Sequence, residues 1–395
     1  MFQKITALML LVCLCAVLVA CGDGGTLNTA TTDFNTGSWG STSDGTSTVS
    51  TTDSSADSTT DSVTDESSES KKTSSTGKKP TTSNSGTSNA GSSSEKTSRE
   101  EQAQAILESG SYLVGLTDQL NKRLVVCDLA EEDWSDDKAV VWEMSTYAGV
   151  AGIKFRDNDY WGQKVVIYCS GTKATIASYE TKEVLLNITK APGNSHSVEL
   201  LPNGVFVVAG STGSEIRVFG AGKKTVSDTV AFPDAHGVLW DPTYNVLWAV
   251  GSNHLQAFRV TGTATAPKLE AVKEMSYYPN QSLHDLSADY GNPDQLLLTG
   301  SYGVVLFNKK TGKTSYDYPA GKYLKTQTYV PGVGQFASGV CVFTTVRKDT
   351  LTYKEWGTDQ VGVFVPLGES SGLVLMRQAK KDAYYKARLF SFDYQ

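Results

Sequence analysis

The stretch NSHSVELLPNGVFVVAGS, residues 194 to 211, sets a histidine in a polar head before a short strand-like run. A Pro-Asn-Gly turn and an apolar run ending in Gly-Ser follow. The same order returns in DAHGVLWDPTYNVLWAVGS (234 to 252) and SLHDLSADYGNPDQLLLTGS (282 to 301), so three of the chain's four histidines take one position of a repeating unit. Each unit continues through a third and a fourth strand, as in SEIRVFGAG and VSDTVAF after the first head. Runs such as VFVVA and LLLT are apolar at consecutive positions, as expected of strands covered on both faces. The breaks between them, LPNG, DPTYN and YGNPD, carry turn chemistry. Four short strands recurring every 40 or so residues are the blade of a β-propeller.

Weaker copies flank these three. GIKFRDNDYWGQKVVIYCSGTKATIASYETKEVLLNI places Lys154 at the head, and YLKTQTYVPGVGQFASGVCVFTTV places Lys325 there, with an insertion before WGTDQ. On the N-terminal side, YLVGLTDQLNKRLVVCDL and AVVWEMS supply second, third and fourth strands without a first. The C-terminal AYYKARLFSFDYQ, headed by Lys386, is a spare strand. If it completes the first blade, the ring closes and no sheet edge is left open. The expected fold is an all-β, six-bladed propeller over residues 99–395. A seven-bladed ring or a β-sandwich accounts for the copies less economically.

The preceding segments read differently. Lys4 and the apolar run ITALMLLVCLCAVLVA form an export signal over 1–21, too short for a confident membrane span. It ends in Leu18-Val-Ala-Cys21, which resembles the lipobox of bacterial lipoproteins, and that resemblance implies lipidation of Cys21 and a membrane-anchored, extracytoplasmic protein. Residues 22–98 are Ser, Thr, Gly and Asp with few large apolar side chains, and are expected to be a disordered tether. That tether holds ten acidic residues against five lysines, most of the chain's net charge of −7. The folded part is therefore close to neutral, which argues against a nucleic-acid partner. Near its start, SREEQAQAILESG reads as a short helix with Ala103, Ile106 and Leu107 on one face and Gly110 as its stop. Cys127, Cys169 and Cys341 fall on apolar strands and read as packing residues. Trp134 and Trp161 stand in polar loops and are kept as candidate sugar contacts.

The histidine-headed strands, TDQ at 117–119, GTDQ at 357–360 and the terminal YYKARLF resemble an uncharacterised family of bacterial secreted six-bladed propellers, a domain of unknown function. The resemblance spans 111–395. It implies the architecture and a monomer is expected, but it brings no activity.

In a propeller the innermost strand of each blade lines the central channel. Lys154, His196, His236, His284, Lys325 and Lys386 are therefore expected to ring one mouth, with Arg156 and Arg388 two residues deeper. Asp118 and Asp359, from turns opening on the same face, join them as candidate ligand contacts, with neutralisation of Lys386 and Lys325 as the plainer alternative. Six convergent basic groups suit an anionic ligand, above all an acidic surface or environmental glycan. Three imidazoles facing one axis suggest a divalent metal at His196, His236 and His284, and with it a polysaccharide lyase or hydrolase. A third reading is a protein-interaction scaffold with an inert channel.

Overall fold

The computed structural model of the chain describes residues 90–327, 329–346, 357–369 and 371–395. Cys21, the export signal and residues 22–89 of the tether lie outside the described residues, as does most of the insertion before Trp356. The helix Ala90–Glu108 begins inside the stretch read as tether. It buries Ala103 and Leu107 against Val361, Val363 and Val365 of blade 6 and Trp134 of blade 1.

Six four-stranded antiparallel sheets follow in chain order. Blade 1 takes its innermost strand, Tyr384–Leu389, from the C-terminal end and pairs it with Leu113–Asp118. The ring therefore closes as the spare strand foretold. The innermost strands of blades 2 to 6 are Gly152–Asn158, Ser195–Leu200, Ala235–Asp241, Leu283–Ala288 and Gly332–Gln335.

Apolar layers lie between neighbouring blades, which is why the inner strands are apolar on both faces. Ile167 and Ile176 of blade 2 meet Val198 and Phe206 of blade 3, and Leu297 and Val304 of blade 5 meet Val333 and Phe343 of blade 6. Cys127, Cys169 and Cys341 are buried in these layers as free thiols. Each fully buried apolar side chain there contributes roughly 1.5–3 kcal/mol by leaving water. Beyond Leu389 the chain crosses the channel end opposite the histidines. Asp157 donates its backbone N–H to Phe392 O at 3.0 Å, and the Arg156 guanidinium lies 4.9 Å over the Tyr394 ring.

Candidate functional site: a histidine mouth over a salt-bridged channel

The register at the head of each innermost strand decides which side chains reach the mouth. In blade 3, Ser195 pairs with Gly210 and Ser197 with Ala209, so His196 is an extra, bulged residue. Blades 4 and 5 repeat this, with His236 between the Ala235–Gly251 and Gly237–Val250 pairs and His284 between Leu283–Gly300 and Asp285–Thr299. A bulge re-aims the side chain it carries. Asn194 and Asp234, two residues ahead of His196 and His236, hold left-handed φ of 50° and 52°, a conformation their short polar side chains tolerate.

Blade 1 has the same irregularity. Tyr384 pairs with Asp118 and Ala387 with Leu116, while Lys386 N–H donates to Thr117 Oγ1 at 2.9 Å. The bulged residue is therefore Tyr385, one place before the lysine that the sequence suggested. Blade 2 pairs without a break from Gly152–Cys169 to Asn158–Gln163, which leaves small Ala151 at this level and Lys154 deeper. Lys325 is not on an inner strand at all. It is exposed and caps the one-turn helix Gly321–Leu324 outside the channel. The expected ring of three histidines and three lysines is thus a cluster of three histidines and a tyrosine.

The cluster is tight. His196 and His236 stack with centroids 4.4 Å apart and planes at 22°, His236 and His284 are 4.7 Å apart, and His196 and His284 are 6.0 Å apart. A chain of hydrogen bonds fixes the tautomers. Asn194 Nδ2 donates to His196 Nε2 at 3.1 Å, so His196 carries its proton on Nδ1, which faces Tyr385 Oη at 3.3 Å. The Tyr385 hydroxyl then donates to His284 Nε2 at 2.9 Å, and His284 bonds the Pro331 backbone. His236 Nδ1 donates to Asp234 O at 2.8 Å.

Burial, the neighbouring His236 and the Lys386 charge push His196 and His284 well below the usual imidazole range, so both are neutral at pH 7. Their pyridine-type lone pairs are already occupied by Asn194 and Tyr385. Among the described residues no group of three His, Cys, Asp or Glu side chains is disposed to hold a metal ion. His196, His236 and His284, the candidate metal ligands, meet here as stacked rings linked by hydrogen bonds.

Just below the mouth, buried cations clasp carboxylates supplied by other blades. Lys154 Nζ donates to Glu199 Oε2 at 3.1 Å, to Val198 O at 2.8 Å and to Val238 O, while Arg156 makes a two-pronged pair with Glu199 at 2.9 Å on each arm. Lys386 Nζ donates to Asp285 Oδ1 at 3.0 Å, and Arg388 forks onto both oxygens of Asp285. A Lys-x-Arg strand clasping one carboxylate thus occurs twice. Glycines let neighbouring inner strands approach closely around it. A side chain at Gly152 would meet His196 O at 2.7 Å, and one at Gly332 would meet Ala387 N at 2.6 Å.

The neutralising partners differ from those expected. Asp118 serves Arg123 Nε at 3.0 Å rather than Lys386, and buried Asp359 accepts from Gln378 at 2.6 Å rather than from Lys325. Trp134 is buried, with Nε1 on Glu131 O, and Trp161 is half-buried against blade 2, so neither is an open sugar platform.

The rim of the mouth was not read from the sequence. Of the seven exposed tyrosines among the described residues, six stand on connections that open on the histidine face: Tyr147, Tyr278, Tyr302, Tyr316, Tyr323 and Tyr329. Tyr278, 68 % exposed, stacks on His254 at 4.5 Å with planes 3° apart, and His254 stacks in turn on Phe232. Exposed Lys322 and Lys325 flank Tyr323, and Lys173 Nζ sits 4.4 Å over the Tyr147 ring. A signal existed in the tyrosines recurring just before or after the heads, but only the ring geometry gathers them on one side.

Residues 89–325, more than half of the chain, match the profile described as Family of unknown function (DUF6528). The chain belongs to that family. The DUF6528 match takes in Lys154, Arg156 and all three mouth histidines, while Tyr385, Lys386 and Arg388 lie beyond it. No curated protein matches the chain. Solved structures with a similar fold include the WD40 β-propeller domain of Doa1, with TM-score 0.43 and 10 % identity over 67 % of this chain and 79 % of that one. A functionally unknown protein from Desulfotomaculum acetoxidans DSM 771 gives 0.42 and 12 % over 68 % and 86 %. Dihydro-heme d1 dehydrogenase NirN in complex with DHE gives 0.40 and 12 % over 66 % of this chain and 53 % of that one. At these scores the likenesses carry no functional argument.

Proposed function

We propose that this DUF6528 protein binds a carbohydrate on its histidine face, displayed outside the cell membrane by a lipid on Cys21. The observation that supports this is that six exposed tyrosines stand on connections opening on the face where His196, His236 and His284 cluster. Tyrosine offers a flat apolar ring with a polar tip, suited to stacking on a sugar ring while bonding its hydroxyls. Neutral His196 and His284 and the amide of Asn194, now bonded among themselves and to Tyr385, can trade those bonds for a ligand's hydroxyls without desolvating a charge. Exposed Lys322 and Lys325 beside Tyr323 bias the choice toward acidic glycans, whereas the channel cations are already spent on Glu199 and Asp285. The anionic ligand expected from the sequence is kept in this reading, but its cationic contacts move from the channel to the rim.

Titration calorimetry against paired acidic and neutral oligosaccharides tests it. The acidic member is expected to bind, more weakly as salt rises, and to lose about tenfold on Tyr278→Ala or Tyr302→Ala, the scale of one lost aromatic contact of ~1.4 kcal/mol. Binding that ignores both substitutions, or no binding across a glycan library, would sink the reading in favour of a protein-interaction face. Anchoring is checked separately by detergent-phase partition, which Cys21→Ser is expected to abolish.

A further inference from the structure

Below the mouth, Lys154, Arg156, Ser287, Tyr290, Arg388 and Gln395 line a cavity of about 30 Å³. That is room for about two waters or one small ion, and none for a sugar. Arg388 is 7 % exposed, and its Nη atoms are spent on Asp285 and Ala387 O, but its buried Nε–H has no partner. An unmet buried charge-bearing donor of this kind is costly. The charge around the cavity is unbalanced as well. Four buried cations, Lys154, Arg156, Lys386 and Arg388, share two carboxylates, Glu199 and Asp285.

Of the other ionisable groups nearby, Asp393 acts on the lining residue Tyr290 but is exposed, so solvent screens it. Asp289, next to the lining residue Ala288, is pushed toward its neutral form by burial, and Lys309 is already paired with Asp241 at 2.6 Å. Desolvation leads both the depression of Lys154 to about 8 and the lowering of Lys386, and the neighbouring Arg156 and Arg388 add to it.

We infer that this cavity is an internal site for one small monovalent anion of the halide class, held by Arg388 Nε–H inside the ring of buried cations. The site is independent of the glycan reading, since it lies below the mouth and admits nothing as large as a sugar.

Crystals of the protein grown in sodium bromide and measured at the bromine absorption edge decide the question. An anomalous peak in the cavity, in contact with Arg388 Nε, is the expected result. Non-anomalous water density there, or bromine only at surface lysines, would overturn the site. In solution, melting at fixed ionic strength is expected to rise with chloride and saturate, relative to gluconate, because a ligand that binds only the folded state stabilises it by mass action. Ala288→Val, which fills part of the cavity, is expected to remove the chloride dependence while leaving the gluconate melt near the parent's. A chloride effect that does not saturate, or that survives Ala288→Val, counts against the site.

Discussion

The mouth and the middle of the channel are built from the same innermost strands a few residues apart, yet they follow opposite rules. At the mouth, bulged His196, His236, His284 and Tyr385 hold one another by ring stacking and single hydrogen bonds, and burial keeps His196 and His284 neutral. In the middle, Lys154, Arg156, Lys386 and Arg388 are charged and clasp Glu199 and Asp285 from two directions. The first arrangement can exchange its partners for a ligand's hydroxyl groups at small cost. The second cannot, because removing one member leaves a buried charge uncompensated. The basic groups that attract attention in the sequence are therefore held by internal carboxylates, while half-buried His196 and His284 are the mouth groups that solvent reaches.

The largest test of this contrast is Asp285→Asn, which strips Lys386 and Arg388 of their shared partner. It is expected to cost about 3–5 kcal/mol in urea unfolding, the scale of a broken buried ion pair. A loss under ~1 kcal/mol would erase the distinction between the two levels. Next comes acid. His196 and His284 titrate well below 6.5 in the folded protein, so the unfolded chain takes up protons first as pH falls through 6.5. Stability is expected to decline below that point, by up to ~1.4 kcal/mol per pH unit for each histidine, until their folded-state values are reached. The double variant His196→Gln, His284→Gln should flatten this decline, and a slope that persists would place its origin elsewhere.

A smaller effect is expected at the rim. Tyr278→Ala should leave the melting temperature within about a degree while weakening glycan binding roughly tenfold, a surface change without a packing one. The smallest lies on the alkaline side. Lys154 is lowered from 10.5 to about 8, so between those values the folded state has released a proton that the unfolded chain still holds, and its contribution to stability rises with pH. Lys154→Met should remove that part of the rise in pH-dependent denaturation curves. No change in slope would mean that Lys386 alone sets it.

How much of this was legible beforehand follows from the kind of signal each feature leaves. Blade count and ring closure were readable because turn clusters and apolar runs repeat at a fixed spacing, and because YYKARLF is a strand with no blade of its own. The three histidines meet because the same bulge recurs. Tyr385 was missed since Tyr-Tyr-Lys gives no sign of which residue is extra; only the Tyr384–Asp118 and Ala387–Leu116 pairs reveal it. Lys325 was misplaced because Tyr329–Val330–Pro331 lies between it and the true strand at Gly332. The partners Glu199 and Asp285 were noticed as carboxylates but not assigned, since they reach cations from other blades, 45 and 101 residues away in sequence. Two Lys-x-Arg strands and two carboxylates near histidine heads were the available clue.

The closing strand also imposes an order on assembly. Lys386 meets Thr117 across 269 residues, so blade 1 has no inner strand until the last part of the chain has been made. Glu199 finds Lys154 and Arg156 already synthesised before it, but Asp285 must wait for Lys386 and Arg388. Until they arrive, burying that carboxylate is prohibitive, so the inner strand of blade 5 stays hydrated. Such long-range pairing is slow. One late-paired aspartate thus works as a timer, keeping half the ring soft until the chain is complete.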